Sequence, residues 1–485
     1  MINKFLSHQT VMCDKIHSIG SFLCDNGANR MTTSAVAWQI GATTAPKPPK
    51  VPALPYLGIA LKMTGDITSY LFSLYQQYGS IYRMTLLGRE ITVLSGIEAN
   101  RFLNTDGNDV FTSEPLFGGF AREMNTKKFL VALDGEEHIY YRKLMRAGFA
   151  RSAMSPHMDY LLSVVDDFAR PLQTGHRIQV LPNLQQIVTM QLSKVMTRQW
   201  SGEYYEDVKI FLRYMMNVEV LKLYPRIMLK APEYQKARKR TFELARQILD
   251  NHRNSDDISD EERDLVDDLL SNKDHLGNDF NEDELVAFVV SPYFAGIDTV
   301  ASSVSFFIYN ILRYPHIHEK AKAEAKAMFA NGTPKLHDLK DMETIHGAAI
   351  ETLRMYPVAP MTPRTALKSF TFNGYRVDAG SEVYVAQTMT HFMEEYFPNP
   401  TVFDHTRFSR GEGRNVSGAF APYSLGQHMC LGAGIAETQM ILTLARLIHN
   451  LDLELETPNL KIKSAPLPNP TTNFYVRVKS NHTPA

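Results

Sequence analysis

The residue of this sequence best placed to do chemistry is Cys430, which lies in a glycine-rich loop, Tyr423–Gly434, that runs into an apolar stretch. That stretch predicts a helix that starts near Leu431. A thiol just before a helix meets free N–H groups and the positive end of the helix dipole, which favour the metal-binding thiolate. The glycines allow close backbone approach to a bulky partner. Because a lone thiol is more commonly a buried structural cysteine, this stretch alone leaves both interpretations open.

Asp298 and Thr299 form a second candidate group, within the longest apolar run of the chain, residues 285–312. The length of the run would allow a membrane span. Pro292, the polar pair and the mid-chain position instead favour a long central helix in a large core, kinked by the proline. A carboxyl and a hydroxyl group in a buried helix are costly without partners, which suggests a functional role.

Two further pairs of charged residues lie on predicted helices. Asp134 is suited to be the N-cap of a helix on which His138 and Arg142, four residues apart, share one face. Such a face can bind an anionic group, although it is more often simply solvated. Glu351 and Arg354 are three residues apart, and an exposed pair of that kind contributes only about 0.5 kcal/mol.

Composition places the chain among ordinary globular proteins. It has 485 residues, of which 44% are hydrophobic and 21% charged, and its net charge of −1 gives no reason to expect a nucleic-acid partner. Three cysteines are too few for a disulfide scaffold and fit a reducing compartment. The sequence contains no CxxC or HExxH zinc motif and no glycine-rich phosphate loop after a strand.

The chain order predicts a leader followed by a folded body. Residues 1–45 are polar and mixed, without a spanning or signal segment, and are expected to be disordered; a proline-rich segment follows. Residues 79–94 alternate as a hairpin, and residues 155–250 are helical throughout. Residues 111–120, rich in glycine and phenylalanine, are expected to be an irregular loop, either closing over an apolar ligand or packed as an Ω-loop.

Taken together, these motifs resemble the cytochrome P-450 superfamily of haem-thiolate monooxygenases, from about residue 46 to the end. The loop matches the family signature of an aromatic residue, Gly426, Cys430 and Gly432, with Tyr423 in place of the usual phenylalanine. His138-x-x-x-Arg142 matches a variant of the helix that contacts the haem propionates.

Two other motifs of that family occur in the expected order. Glu351-x-x-Arg354 is matched together with Arg407, the arginine of the Pro-x-Arg-Phe segment, in which His405 replaces the proline. The stretch from Ala295 to Thr299 matches the oxygen-binding part of the central helix. The set in order is a far stronger signal than any one motif.

The resemblance implies a mainly α fold with smaller β-sheets (α+β), a single large triangular domain over residues 46–485 with a long central helix over the haem. It implies haem (iron protoporphyrin IX) as cofactor and Cys430 as the metal ligand. The other expected cofactor contacts are His138, Arg142, Arg364, His428 and Gly432. Glu351, Arg354 and Arg407 are expected to form a buried ionic triad.

On the opposite side of the haem, the resemblance assigns catalysis to three residues of the central helix. Gly296 would make room for dioxygen, Thr299 would hydrogen-bond next to it, and Asp298 would relay protons. The expected substrate pocket is apolar and includes Phe117, Phe120, Phe294, Ala295 and Met361.

The implied activity is insertion of one oxygen atom of O2 into a medium-to-large hydrophobic molecule, such as a lipid, terpenoid or sterol. Electrons would come from a separate donor, a ferredoxin or flavodoxin with its reductase or a diflavin reductase, because the chain has no flavin or iron–sulfur domain. The expected location is the cytoplasm, without a transmembrane anchor and with peripheral membrane contact left open. The alternatives are a haem-thiolate enzyme that uses or rearranges peroxides, a haem sensor or electron carrier, and a cofactor-free helical membrane or scaffolding protein.

Overall fold

The computed structural model describes residues 37–41, 44–199, 202–255, 259 and 262–484. Residues 1–36 of the expected leader lie outside the described residues. Trp38–Ile40, at the end of that leader, instead forms strand β1, which pairs with Phe370–Phe372. The ring of Trp38 stacks on that of Phe102, with centroids 5.0 Å apart. This apolar contact helps to attach the strand to the body.

Helices make up most of the body, as expected. The α-helices of the described residues are α1 (Ile67–Tyr78), α2 (Ile97–Asn104), α3 (Gly107–Val110), α4 (Glu114–Glu123), α5 (Gly135–Met145), α6 (Met158–Ala169), α7 (Val180–Thr197), α8 (Tyr205–Met215), α9 (Pro232–Arg253), α10 (Leu265–Ser271), α11 (Glu282–Arg313), α12 (Pro315–Phe329), α13 (Glu343–Met355) and α14 (Ala433–Asn450). A π-helix, Met216–Val220, follows α8. Short 3-10 helices are found at Lys62–Thr64, Leu130–Ala132, Arg151–His157, Gly202–Tyr204, Arg226–Lys230, Asp338–Asp341, Gln387–Phe392 and Gly426–His428.

The strands form small sheets beside the helices. After β1 they are β2 (Ile81–Leu86), β3 (Arg89–Ser95), β4 (Phe111–Thr112), β5 (Arg177–Gln179), β6 (Thr362–Ala366), β7 (Phe370–Phe372), β8 (Tyr375–Val377), β9 (Glu382–Ala386), β10 (Leu451–Leu455), β11 (Ile462–Lys463), β12 (Asn469–Pro470) and β13 (Tyr475–Asn481). The largest sheet has the order β2-β3-β9-β6-β4, in which β3 and β9 are parallel. The others have the orders β1-β7-β8, β10-β13-β5 and β11-β12. The hairpin expected at residues 79–94 is the pair β2 and β3.

Helix α11 is the central helix expected from the apolar run. It is 32 residues long, begins with a capping box between Asn281 and Glu284, and is buried along most of its length. It is long and apolar enough to cross a membrane, but 78% of its most apolar window is buried inside the protein. The helix therefore serves as the core of the fold.

Pro292 is accommodated inside α11 because a neighbouring side chain replaces part of the lost bonding. A proline has no N–H, so the carbonyl of Phe288, four residues earlier, loses its usual donor. The Ser291 hydroxyl donates to that carbonyl over 2.9 Å. The helix continues through the proline as a result, and it places residues 295–300 along one wall of a cavity.

The irregular loop expected at residues 111–120 is absent. These residues form strand β4 and the first part of helix α4. Pro115 lies in the first turn of α4, where its missing N–H costs nothing, and Glu114 complements the helix dipole there. Gly119 lets α4 approach the π-helix, where a Cβ at this position would overlap the carboxylate of Glu219. The glycines that suggested a loop thus serve close helix packing.

Candidate active site

A cavity of about 410 Å³ lies between α11 and the loop before α14. Its size is in the usual range for small-molecule sites. The five residues expected in the substrate pocket all line it: Phe117, Phe120, Phe294, Ala295 and Met361. Cys430 and Gly432 line it from the loop, and Gly296 and Thr299 from α11, so the structure brings the loop and the central helix to one space.

Cys430 lies at the cavity wall opposite α11. Its backbone N–H donates to the carbonyl of Tyr423 over 2.9 Å, which closes the loop around the thiol. Gly426 has a φ of 73° and passes so close to the chain that a Cβ would lie 2.6 Å from the carbonyl oxygen of Leu103. The turn therefore requires glycine here.

The sequence-based argument for a thiolate at Cys430 needs a correction. Cys430 has accessible surface because it faces the cavity, but it is surrounded by protein, and this burial raises the pKa of its thiol. The backbone N–H of Gly432 and the charge of Arg142 lower the pKa by less than burial raises it. The helix start alone does not ionise the sulfur, so a thiolate here depends on a bound metal, which deprotonates a coordinating thiol.

Thr299 and Asp298 are neighbours in sequence but point to different surroundings. The Thr299 hydroxyl lines the cavity and donates to the carbonyl of Ala295 over 2.6 Å. The Asp298 carboxylate accepts a hydrogen bond of 2.7 Å from Gln185 on α7 and is absent from the cavity lining formed by the described residues. Burial raises the pKa of Asp298, so it holds a proton more readily than an exposed aspartate.

Gly296 has a packing role that the sequence did not reveal. A Cβ on this residue would lie 2.6 Å from Cδ2 of Leu192 on α7. The glycine therefore lets α7 approach α11 closely at the level of Thr299. Whether it also makes room for dioxygen, as expected from the resemblance, stays a prediction.

Basic side chains gather at one end of the cavity: Arg142, His138, Arg364 and His428 all line it. Neither arginine forms a salt bridge with a described residue, and Arg364 donates only to the adjacent carbonyl of Pro363, over 2.7 Å. Burial lowers the pKa of Arg364 to about 10 and also lowers the pKa of Arg142. Both are expected to be charged at neutral pH, because a guanidinium group loses its proton only under strongly basic conditions.

The two histidines stack on each other, with ring centroids 3.9 Å apart. Burial, together with the charges of His428 and Arg142, lowers the pKa of His138 to about 3, so that imidazole is neutral. Its Nδ1 atom is buried without a hydrogen-bond partner among the described residues. A buried ring nitrogen in this state favours a bound partner from outside the described residues.

Asp134 does not cap its helix through its side chain, contrary to the expectation from sequence. Its carboxylate accepts hydrogen bonds from the Thr112 hydroxyl (2.6 Å), the Ser113 N–H (2.9 Å) and the His428 ring (3.0 Å). Burial opposes its ionisation, but these bonds hold the pKa of Asp134 at about 2. Asp134 therefore orients His428, which was expected to contact a haem propionate.

The expected ionic triad is present and buried. Arg354 donates to both oxygens of Glu351, over 2.7 and 2.8 Å, and Arg407 donates to Glu351 over 3.2 Å. The side chains of Glu351 and Arg354 are 0% exposed and that of Arg407 is 2% exposed. Sequence reasoning missed a fourth member, Glu412, which accepts from Arg407 over 2.6 Å and brings the group to two acids and two bases.

His391 is another residue that sequence reasoning missed. Its ring lies fully buried between the Arg354 carbonyl (3.1 Å from Nδ1) and the Ala421 N–H (2.9 Å from Nε2). Burial lowers the pKa of His391 to about 3, so the ring is neutral, with Nδ1 donating and Nε2 accepting. Only the three-dimensional proximity of residues 354, 391 and 421 reveals this link, because no local sequence pattern marks it.

His252, Asp264 and Asp267 have ligand atoms close enough to suggest a metal site. Their bonds are already used, however. Arg198 donates to both oxygens of Asp267, His252 contacts Asp264 over 2.9 Å, and Asp264 caps α10. The group is a salt-bridged helix junction.

The open donor groups of the cavity fit a haem. Two unpaired guanidinium groups and a partnerless ring nitrogen at one end suit the two carboxylates of a porphyrin, since arginine binds carboxylates well. The apolar walls suit its flat ring, and Cys430 supplies a sulfur ligand from the loop. The fit rests on residues from separate parts of the chain that only the fold brings together.

Comparisons with known proteins show which family and fold the chain is similar to. The family model described as "Cytochrome P450" matches residues 46–478. The chain is 25% identical over 396 residues to "Putative cytochrome P450 139" of Mycobacterium tuberculosis, covering 79% of this chain and 90% of that protein. It is 24% identical over 458 residues to "Beta-amyrin 11-oxidase" of Glycyrrhiza uralensis, covering 89% and 90%. The solved structure "Retinoic acid bound cyanobacterial CYP120A1" superposes with a TM-score of 0.77 at 22% identity, covering 90% of this chain and 99% of that one.

The buried ion cluster yields a prediction about stability. Replacing Glu351 with glutamine leaves Arg354 and Arg407 buried with only Glu412 as a counter-charge, so we expect unfolding free energy to fall by about 3–5 kcal/mol. Urea-induced unfolding measures this change.

The control is Glu98→Gln on α2. Glu98 pairs with Arg101 at the same three-residue spacing, but the two side chains are 37% and 50% exposed. The loss there should stay below about 1 kcal/mol. Equal losses in the two variants would contradict the role assigned to burial.

Proposed function

The chain belongs to the cytochrome P450 family, and on that premise we propose that it is a haem-thiolate monooxygenase whose Cys430 binds the haem iron. The main support for this proposal is that Cys430 and Thr299 line the same cavity, one on each side. Members of this family use O2 and an external redox partner. The relative from Glycyrrhiza uralensis is named for oxidation of β-amyrin, a terpenoid, and a terpenoid or similar lipid is the substrate class proposed here.

When bound, the haem supplies the place where O2 takes up two electrons and two protons, one oxygen atom entering the substrate and the other leaving as water. Arg142 and Arg364 are proposed to bind its carboxylates, with charge-assisted hydrogen bonds. His138 and His428 complete that end, and Asp134 holds His428 in orientation. The N–H of Gly432 reduces the charge density on the sulfur of Cys430.

Protons are proposed to reach the cavity along α11. Asp298, which holds a proton readily because it is buried, lies next in sequence to Thr299. The Thr299 hydroxyl donates its own proton to the Ala295 carbonyl, so its oxygen is free to accept a hydrogen bond from a group in the cavity. This arrangement positions Thr299 to hold a donor such as water beside the reacting oxygen.

The apolar walls exclude water from the reacting atoms. Phe117 and Phe120 from α4, together with Leu212 and Met216 from the α8 region, face Ala295 across the cavity. Phe120 also contacts Phe294, with centroids 6.2 Å apart. Enclosure of this kind favours hydrophobic substrates and limits the side reactions that water would cause.

The central test is the spectrum of the reduced, carbon-monoxide-bound protein. We expect the strongly red-shifted Soret band that sulfur ligation produces, and we expect Cys430→His to bind haem without that band. Cys430 is the only cysteine within residues 46–485, so no other thiol of this part of the chain can replace it. A band that persists in Cys430→His would show that the ligand is a different group.

The role of Thr299 is tested by the coupling of electron use to product. In Thr299→Ala we expect electrons to be consumed at a similar rate while product falls several-fold and hydrogen peroxide accumulates. Thr299→Ser keeps the hydroxyl and should keep the coupling. The measurement is the ratio of product to reduced cofactor consumed, and an unchanged ratio in the alanine variant would refute the assignment.

Electron entry is proposed to occur on the side of Cys430. Lys143 and Arg146 are exposed at the end of α5, and His138 and Arg142 of the same helix line the cavity. These basic groups would attract an acidic ferredoxin, flavodoxin or diflavin reductase to the protein surface on the Cys430 side.

Reversal of both charges, Lys143→Glu with Arg146→Glu, should slow reduction at low salt by about 10-fold or more, with the difference shrinking as salt screens the surface. Stopped-flow reduction with acidic donor proteins at two ionic strengths measures this. The matched control is Lys236→Glu with Lys239→Glu on the exposed face of α9, which should leave the rate unchanged. Equal rates in the two double variants would exclude this docking surface.

A further inference from the structure

The charged residues that line the cavity indicate which substrates it can bind. Among the described residues that line it, none is an aspartate, a glutamate or a lysine. The charged lining residues are Arg142 and Arg364, accompanied by the two stacked histidines, and all four lie at one end. The remainder of the described wall is apolar or carries uncharged polar groups, namely hydroxyls, the Cys430 thiol and the Gln439 amide.

On the function proposed above, the haem brings two carboxylates, one for each of the two arginines. His138 adds no charge, because its pKa is held at about 3. His428 is engaged by Asp134. Once the haem is in place, no cation of the described lining remains to pair with a further anion.

The helices that cover the cavity do not supply a spare cation either. The basic residues of α4 and α8 are Arg122, Lys209 and Arg213, and none of them lines the cavity. Each is within salt-bridge distance of an acid: Arg122 of Glu219 (3.4 Å), Lys209 of Glu206 (3.6 Å) and Arg213 of Glu233 (3.1 Å).

Glu219 of the π-helix lies within salt-bridge distance of two arginines, Arg122 of α4 and Arg226 of the following 3-10 helix. Its side chain is 6% exposed, at the end of the π-helix, and it also lies 3.2 Å from Arg226. Gly119 of α4 packs directly against its carboxylate. The arginines are therefore held on the outer side of a buried acid, which further disfavours an anion beneath it.

We infer that the substrate of this cavity is uncharged, and that the site discriminates against carboxylic acids in favour of the alcohols or esters with the same carbon skeleton. This inference rests on the proposed function and narrows its substrate class. A carboxylate in the apolar part of the cavity would be buried without a partner, which is unfavourable enough for the group to bind protonated instead. The acid therefore binds only through its neutral form, which is scarce at neutral pH.

The test is equilibrium binding of matched pairs, each a terpenoid, steroid or fatty acid and its methyl ester, to the haem-loaded protein by calorimetry. At pH 7.5 we expect each acid to bind at least about 100-fold more weakly than its ester, since a carboxyl group with a pKa near 4.3 is almost fully ionised. Between pH 7.5 and 5.5 the acid should gain about 100-fold in affinity while the ester stays constant. A panel in which acids bind as tightly as their esters at pH 7.5 overturns the inference.

A positive charge introduced into the cavity wall provides an independent test of the inference. Met216 lines the cavity at the π-helix and is partly exposed, so a longer polar side chain can be accommodated there. Met216→Lys should tighten acid binding at pH 7.5 by about 10-fold or more, whereas the uncharged control Met216→Gln should not. Failure of the lysine variant to tighten acids, in protein that binds the esters, counts against the inference.

The same preparations separate this inference from the proposed function. Protein that shows the red-shifted carbon-monoxide band but binds acids as tightly as esters is a haem-thiolate protein with a different substrate class. Protein that lacks the band fails the proposed function, whatever it binds.

Discussion

The buried charges around Glu351 are the constraint on which the geometry of the cysteine loop depends. Arg354 is held by Glu351 and donates to the carbonyl of His391 over 2.7 Å. The His391 ring returns a hydrogen bond to Arg354 and accepts one from the N–H of Ala421, two residues before Tyr423. Because the Tyr423 carbonyl accepts from the N–H of Cys430, hydrogen bonds and the short backbone segment from Ala421 to Tyr423 connect the ion cluster to the backbone of Cys430. Removing a partner from a buried polar network is costly, so this connection ties the position of the loop to the intact ion cluster.

Helix α11 is the second element that the site requires, and its sequence combines three local adjustments. The Ser291 hydroxyl donates to the Phe288 carbonyl, which Pro292 leaves without its usual donor. Gly296 allows α7 to pack closely, and the Thr299 hydroxyl donates to the Ala295 carbonyl. Each of these residues is poorly suited to an isolated helix. Tertiary packing stabilises them, and the result is a wall that brings an alcohol and a small residue to the cavity in a fixed order.

The outcome for individual residues shows how far local sequence could lead. The central helix, the β2–β3 hairpin and the order of the motifs were predictable, because hydrophobic periodicity and turn residues are local signals. Residues 111–120 were not, since the glycines there serve packing against Glu219, a contact with a residue about a hundred positions away. The same limit hid Glu412, His391 and Gln185. The thiolate at Cys430 was expected from its helix, but the burial that opposes it is a property of the whole fold. Tyr423 remains of interest: its hydroxyl has no hydrogen bond to a described side chain, and burial raises the pKa of this tyrosine.

The basic end of the cavity keeps its charge over a wide pH range, and this follows from how its neighbours are arranged. Arg364, with its pKa at about 10, stays protonated at neutral pH. Arg142 does so as well, because a guanidinium group loses its proton only under strongly basic conditions. His138 stays neutral down to about pH 3, because burial disfavours its charged form and the charges of His428 and Arg142 lower its pKa further. Asp134 stays ionised to about pH 2 through its three hydrogen bonds. The protein therefore presents two fixed guanidinium charges rather than a titrating patch, and carboxylates bound to them keep their partners while conditions change. A pH dependence of ligand binding in which the neutral ester stays constant must then originate in the ligand.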